Sequence, residues 1–238
     1  MKLFNVFLLL PLVLCFDMKN FFRSSIIGTM LSFPVTLNTF ADAFEQPDST
    51  AGIVDQQGDV SASISLNKNN VYVYGEITAR SCELLKNQLL EMDYNGRIFK
   101  MTYGIAPPPI NLHIQSGGGS LMNAFYIVDL IENLETPVHT YVDGFAASAA
   151  SLISVVGEKR FMTKNSAILI HQLSSEKKGK YQELDDDMKN MQQFMEKIKN
   201  IYLEKTELSL PRLDELLNHD LWLDATTCKR VGLVDEII

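Results

Sequence analysis

Three times between Val71 and Val156, a short apolar or β-branched run ends at glycine and gives way to residues with helical spacing. Val71-Tyr72-Val73-Tyr74 closes at Gly75 and leads into Thr78 to Met92, where Leu84, Leu85 and Leu89 share one helical face. Ile110-Asn111-Leu112-His113-Ile114 alternates apolar and polar, and Gly117-Gly118-Gly119 then opens a helix with apolar positions at Leu121, Ala124, Phe125, Val128 and Ile131. Val138-His139-Thr140-Tyr141-Val142 meets a turn at Asp143-Gly144 and continues as a small-residue helix from about Ala147 to Val156. Strands joined through helices run parallel, and a parallel sheet is stable only when helices cover it. The pattern predicts an α/β fold with sites at the C-terminal ends of the strands.

Two of these helices start at glycine or small residues, where backbone N–H groups lack helical partners and the helix dipole is positive. Such ends favour anions. The triple glycine lacks the Lys-Ser/Thr of a P-loop and the spacing of a dinucleotide fingerprint, so it does not point to a nucleotide. Ser148 opens the third helix among small neighbours, Gly144-Phe145-Ala146-Ala147-Ser148-Ala149-Ala150-Ser151. Serine there is either an N-cap or a nucleophile, and a nucleophile needs a base and oxyanion donors nearby. The next strand, Ser166-Ala167-Ile168-Leu169-Ile170, delivers His171 at its C-terminal end, a suitable place for that base. His113 and His139 lie within strands and His219 in a turn, which suits structural or solvated roles. Asp220 precedes the apolar run Leu221-Trp222-Leu223, which is expected to bury it, but spacing alone does not select it from the other acids.

These motifs identify a resemblance. From about Val71 to Ile238 the chain resembles the proteolytic subunit of the Clp protease, a serine peptidase of the ClpP/crotonase-like superfold. The resembling stretches are Ile114-Gln115-Ser116-Gly117-Gly118-Gly119-Ser120, Gly144 to Ser148, Ile170-His171-Gln172, and Asp220 to Ala225 running on to Val231-Gly232-Leu233-Val234-Asp235. The resemblance implies Ser148 as nucleophile, His171 as general base, Asp220 as the residue that orients it, and the backbone N–H groups of Gly119 and Ala149 as oxyanion hole. It implies no metal and no cofactor. It also implies polypeptide substrates, self or related Clp subunits in stacked sevenfold rings, and an AAA+ unfoldase as partner. Two other readings share the fold: a crotonase-type acyl-CoA protein, and a Clp ring subunit with a structural role only.

The departures from the family pattern are local. Gly117 and Leu173 stand where the family usually has proline, the Ser148-to-His171 interval is about two residues short, and Tyr94 to Pro109 is long for a helix-to-strand connection. Gly117 is expected to loosen the loop that carries one oxyanion donor. No recognisable unfoldase-contacting segment occurs between Phe44 and Ser65.

The first 43 residues read as two signal-like units in series. Residues 1–16 pair Lys2 with an apolar run, and residues 19–43 place Lys19 and Arg23 before a second apolar stretch that ends at Ala41-Asp42-Ala43. Two readings stand: a bipartite leader resembling those of plastid-targeted proteins in algae with complex plastids, or one secretory signal with an apolar propeptide. Residues 44–65 are polar and aperiodic and are expected to form a flexible arm, leaving 66–238 as the peptidase-like domain. A net charge of −8 excludes a broad phosphate-neutralising surface, so no nucleic-acid partner is expected. Three scattered cysteines exclude a zinc cluster or a disulfide-stapled scaffold.

From Tyr181 to Thr206 there is no glycine or proline, and Leu184, Met188, Met191, Met195, Ile198 and Tyr202 recur at intervals of four and three. That is a narrow heptad seam on an otherwise charged helix. A helix of about 26 residues is ~39 Å long, more than one small domain covers, so part of the seam is expected to meet a second subunit. In the resemblance this is the projecting handle helix.

Overall fold

The computed structural model describes residues 66–67 and 69–238. The segments read as leader (1–43) and arm (44–65) lie outside the described residues. The chain from Leu66 onward runs β1(Leu66–Asn67), β2(Asn70–Tyr74), α1(Ala79–Tyr103), β3(Ile110–Ser116), α2(Leu121–Asn133), β4(Val138–Ala147) and α3(Ala149–Val155). It continues through β5(Lys159–Met162), β6(Ala167–Leu169), α4(Tyr181–Lys205), α5(Leu210–Leu217), β7(Trp222–Asp224), α6(Ala225–Arg230) and β8(Glu236–Ile237). All eight strands join one sheet in the order β1-β2-β3-β4-β5-β8, with β6 beside β4 and β7 beside β6. The central pairings are parallel, and β1–β2 and β6–β7 are antiparallel. The expected α/β architecture is present.

Period-two alternation sorts the strands' side chains onto two faces. Val71, Val73, Leu112, Ile114, Val142 and Met162 are buried in a core shared with Leu85, Leu89, Ile127 and Leu152 of the helices. The alternate positions carry rings instead. Tyr72, His113, Tyr141 and Phe161 stack across four strands with centroids 4.6–4.7 Å apart, and His113 Nδ1 meets Asp143 Oδ2 at 2.8 Å.

Two local expectations change. The helix predicted to stop near Met92 continues to Tyr103, so the long connection after Tyr94 is mostly helix. Thr78 caps its start by accepting from the Ser81 N–H at 3.1 Å, and Gly104 at φ 70° closes its end. Asp143-Gly144 is not a turn that ends the third strand. β4 passes through it with a register shift against β3, and there it changes partners, pairing with β5 through Val142 and with β6 from Phe145. That irregularity lets one strand deliver Ser148 while two different neighbours flank it.

The C-terminal edge is tied down by Arg160. Its guanidinium donates to Asp235 Oδ1 at 2.6 Å and to the carbonyls of Lys205 and Gly232 at 2.5 and 2.7 Å. Burial works against ionisation of Asp235, but the Arg160 hydrogen bonds outweigh it and hold the carboxyl below its usual range.

Helix α4 divides the predicted seam in two. Ile198 and Tyr202 are buried, and Met195 packs on the core of its own chain. Leu184 and Met188 are 42% and 57% exposed, so only the N-terminal half is left for a partner. The division follows from length: in a helix about 38 Å long the last turns meet α3 through Tyr202 and Ser151 and α5 through Lys199 and Asp214, while Leu184 and Met188 near its start stay exposed.

Candidate active site

Ser148 sits between β4 and α3 at φ 54° and ψ −127°, a conformation L-residues rarely adopt. Its side chain makes no capping hydrogen bond to α3, which removes the N-cap explanation for a serine here. The turn is held by backbone instead: Ser148 N–H donates to Leu169 O at 3.0 Å, and the Ser148 carbonyl accepts from Ser151 N–H at 3.0 Å. Strain maintained by surrounding bonds is a recurrent property of reactive sites.

Gly118 and Gly119 press against this turn. A Cβ on Gly118 would lie 2.7 Å from both Ala147 O and Ser148 Cβ and 3.0 Å from Ala149 N, and its φ of 97° suits glycine. A side chain on Gly119 would run into the Ile77 carbonyl. Ile77 anchors the loop by donating to Gly118 O at 2.8 Å and accepting from Ser120 N–H at 2.7 Å. Buried Ser116 accepts from Gly118 N–H at 3.1 Å. Among the described residues, the N–H groups of Gly119 and Ala149 then donate to no protein acceptor. A Cβ added at Gly117 would meet nothing within 4 Å, so packing does not require glycine at that position.

His171 follows β6 and lines the same small cavity, about 70 Å³, as Gly119, Ser148 and Ala149. No hydrogen bond joins Ser148 to His171 among the described residues. Its segment is pinned on both sides, Gln172 N–H to Leu217 O at 2.9 Å and Leu173 N–H to Met195 Sδ at 3.2 Å. A proline at 173, with no N–H, could not make the second bond.

Asp220 is the poorest fit to expectation. Its Oδ1 stands 4.0 Å from His171 Nδ1, too far for a hydrogen bond. Its side chain is 83% exposed and not buried as expected. Within β7 alternation turns Leu223 inward and Trp222 outward, and Leu221, which precedes the strand, is itself exposed, so neither covers Asp220. Among the described residues the thiols offer no rival nucleophile. Cys82 and Cys228 are buried, and burial pushes the Cys228 thiol up to about 12.

A sequence profile of the Clp protease family matches residues 55–238. The chain belongs to the Clp protease family. It is 32% identical over 174 residues to the ATP-dependent Clp protease proteolytic subunit 2 of Treponema denticola, covering 72% of this chain and 82% of that one. It is 29% identical over 193 residues to the proteolytic subunit 1 of Chlamydia caviae, covering 79% of this chain and 95% of that one. Among solved structures it is similar to the ClpP1 N165D mutant from Listeria monocytogenes, with a TM-score of 0.61, 28% identity, and coverage of 71% of this chain and 91% of that chain. The Clp fold therefore accounts for the gathering of Gly119, Ser148, Ala149 and His171 at one sheet edge. Sequence reading missed Gly118, Ser151 and Tyr202, whose parts depend on contacts across the chain.

Proposed function

We propose that this Clp family member is a serine-type endopeptidase acting on unfolded polypeptides. The observation that carries the reading is Ser148: a hydroxyl free of capping duty, on a strained turn, sharing one cavity with His171 and two unpartnered N–H groups. Ser148 Oγ attacks the peptide carbonyl carbon, and its proton passes to His171. Asp220 lies on the Nδ1 side, leaving Nε2 to take that proton. The tetrahedral oxygen is stabilised by Gly119 and Ala149 N–H, the C–N bond breaks as His171 protonates the amine, and water releases the acyl group by the same route. A fluorophosphonate is expected to form one adduct, mapped to Ser148 by mass spectrometry. An adduct elsewhere, or none, overturns the reading.

Asp220 is assigned the orienting role, and its exposure sets the size of the effect. Asp220→Asn is expected to cost about tenfold in kcat, well short of the ~10⁴-fold loss seen when a buried triad aspartate is neutralised. A loss as large as that of His171→Ala would show that substrate binding closes the 4.0 Å gap and shields the pair.

Assembly and location belong to the same proposal. The relatives are named as subunits of an ATP-dependent protease. The exposed half of α4 suits contact with a second copy in stacked rings fed by an AAA+ unfoldase. Residues 1–43 serve as an import leader, for the plastid if the source is such an alga and for the secretory route otherwise. N-terminal sequencing of native protein should begin near Phe44, and finding Met1 overturns cleavage.

A further inference from the structure

The last turns of α4 reach the nucleophile turn through one buried hydroxyl. Tyr202 is 2% exposed, and its OH lies 2.7 Å from Ser151 Oγ. Ser151 Oγ lies 2.6 Å from the Ser148 carbonyl oxygen, which also accepts from Ser151 N–H at 3.0 Å. A serine hydroxyl has a single proton to give. Ser151 spends it on the Ser148 carbonyl, so the bond between the two hydroxyls must be donated by Tyr202. Donation therefore runs from Tyr202 through Ser151 to Ser148 C=O.

That carbonyl and the Ala149 N–H are opposite ends of one planar peptide unit. Whatever fixes the oxygen fixes the direction of the N–H, and a donor on the oxygen polarises the unit and strengthens the N–H as a donor. We propose that Tyr202 is a positioning residue: through Ser151 it holds and polarises the Ser148–Ala149 peptide so that the Ala149 N–H is aimed at the oxyanion. The inference rests on reading the cavity as that of a serine peptidase. It gives the relay a reason, because a turn at φ 54° lacks the intrinsic preference that would hold this plane unaided. Burial raises the Tyr202 phenol far above its ordinary range, opposed only by the Ser151 hydrogen bond, so it remains protonated wherever the peptidase works.

The test uses the full chain with Tyr202→Phe, which keeps the ring and its packing, Ser151→Ala, which keeps the backbone bond, and the double variant. An oxyanion donor acts in the transition state, and removing one outright costs 10²–10³-fold in kcat. Misaiming it should lower kcat and the fluorophosphonate labelling rate by about tenfold, with KM within about twofold. The double variant should be no slower than Ser151→Ala alone, since both changes break one relay. Unchanged kcat in Tyr202→Phe, a change in KM alone, or additive losses in the double variant would overturn the inference. If Tyr202→Phe fails to fold, Ser151→Ala decides by the same kcat and KM criteria. Wild-type protein that is not labelled, with hydrolysis equal to that of Ser148→Ala, overturns both this inference and the peptidase reading. Activity abolished by Ser148→Ala but untouched by Tyr202→Phe overturns this one only.

Discussion

Ser148→Ala is expected to lower kcat/KM for an unstructured peptide by about 10⁴–10⁶-fold, with the particle and its fold intact. At 1.36 kcal/mol per tenfold this is roughly 5–8 kcal/mol of transition-state stabilisation, more than any single packing change in the cavity should remove. Alanine keeps a Cβ at φ 54°, so it inherits the strain and should leave stability nearly unchanged. Ser148→Gly separates chemistry from strain. It should be as inactive as the alanine variant yet more stable by about 1 kcal/mol, because glycine tolerates this conformation. Urea titration of the two variants measures the difference. A glycine variant no more stable than alanine would mean that the turn is not strained, and a fully active alanine variant would end the assignment of Ser148.

The second large effect concerns assembly. Leu184→Glu combined with Met188→Glu should yield particles of half the mass by sedimentation, with each remaining ring folded. The two residues lie one turn apart on the exposed half of α4, beside Glu183, Asp185, Asp186 and Asp187. Where two copies meet about a twofold axis, an added carboxylate faces its own image, so repulsion doubles while burial is lost. Both residues are solvent-exposed in the single chain, and their replacement should alter its own stability by less than about 0.5 kcal/mol. Met195, also on the seam, is unsuitable for this test because it packs inward and accepts from Leu173 N–H. Particles of unchanged mass would show that the helix tip is not the contact.

What could be read from the residues was what depends on local pattern. The first two strand-glycine-helix units, the small-residue helix beside Ser148 and the long helix after Tyr181 are periodicities within one stretch of chain, and each is present, whereas the third strand runs on through Gly144 to Ala147. β5 and β8 were not anticipated. They are four and two residues long, too short to show a period, and exist because a neighbouring strand offers them hydrogen bonds. α1 continues to Tyr103 through Gly96, where a Cβ would collide with Thr136, a contact 40 residues away that no local pattern shows. The same division applies at the site. Ser148 and His171 could be placed at strand ends from local pattern, and both line one cavity. Asp220 was misjudged because an apolar tripeptide does not reveal which of its members faces inward. Tyr202 read as one position of a seam only part of which was expected to meet a second subunit, since a heptad stripe looks alike whether it is covered by its own domain or by another.

Helix α4 is gripped at one end and free at the other. Its hold lies at Ile198 and Tyr202, Met195 touches the chain next to His171, and Tyr181 stands 21 residues before Tyr202. At 1.5 Å per residue the free tip is about 32 Å from the pivot and Met195 about 10 Å, a mechanical ratio near three. A stiff rod pushed about 3 Å sideways at its tip therefore carries its sulfur about 1 Å, a displacement that costs on the order of 10²-fold when imposed on reacting groups. Small forces at the periphery are thus geared down in distance and up in strength before they arrive at His171.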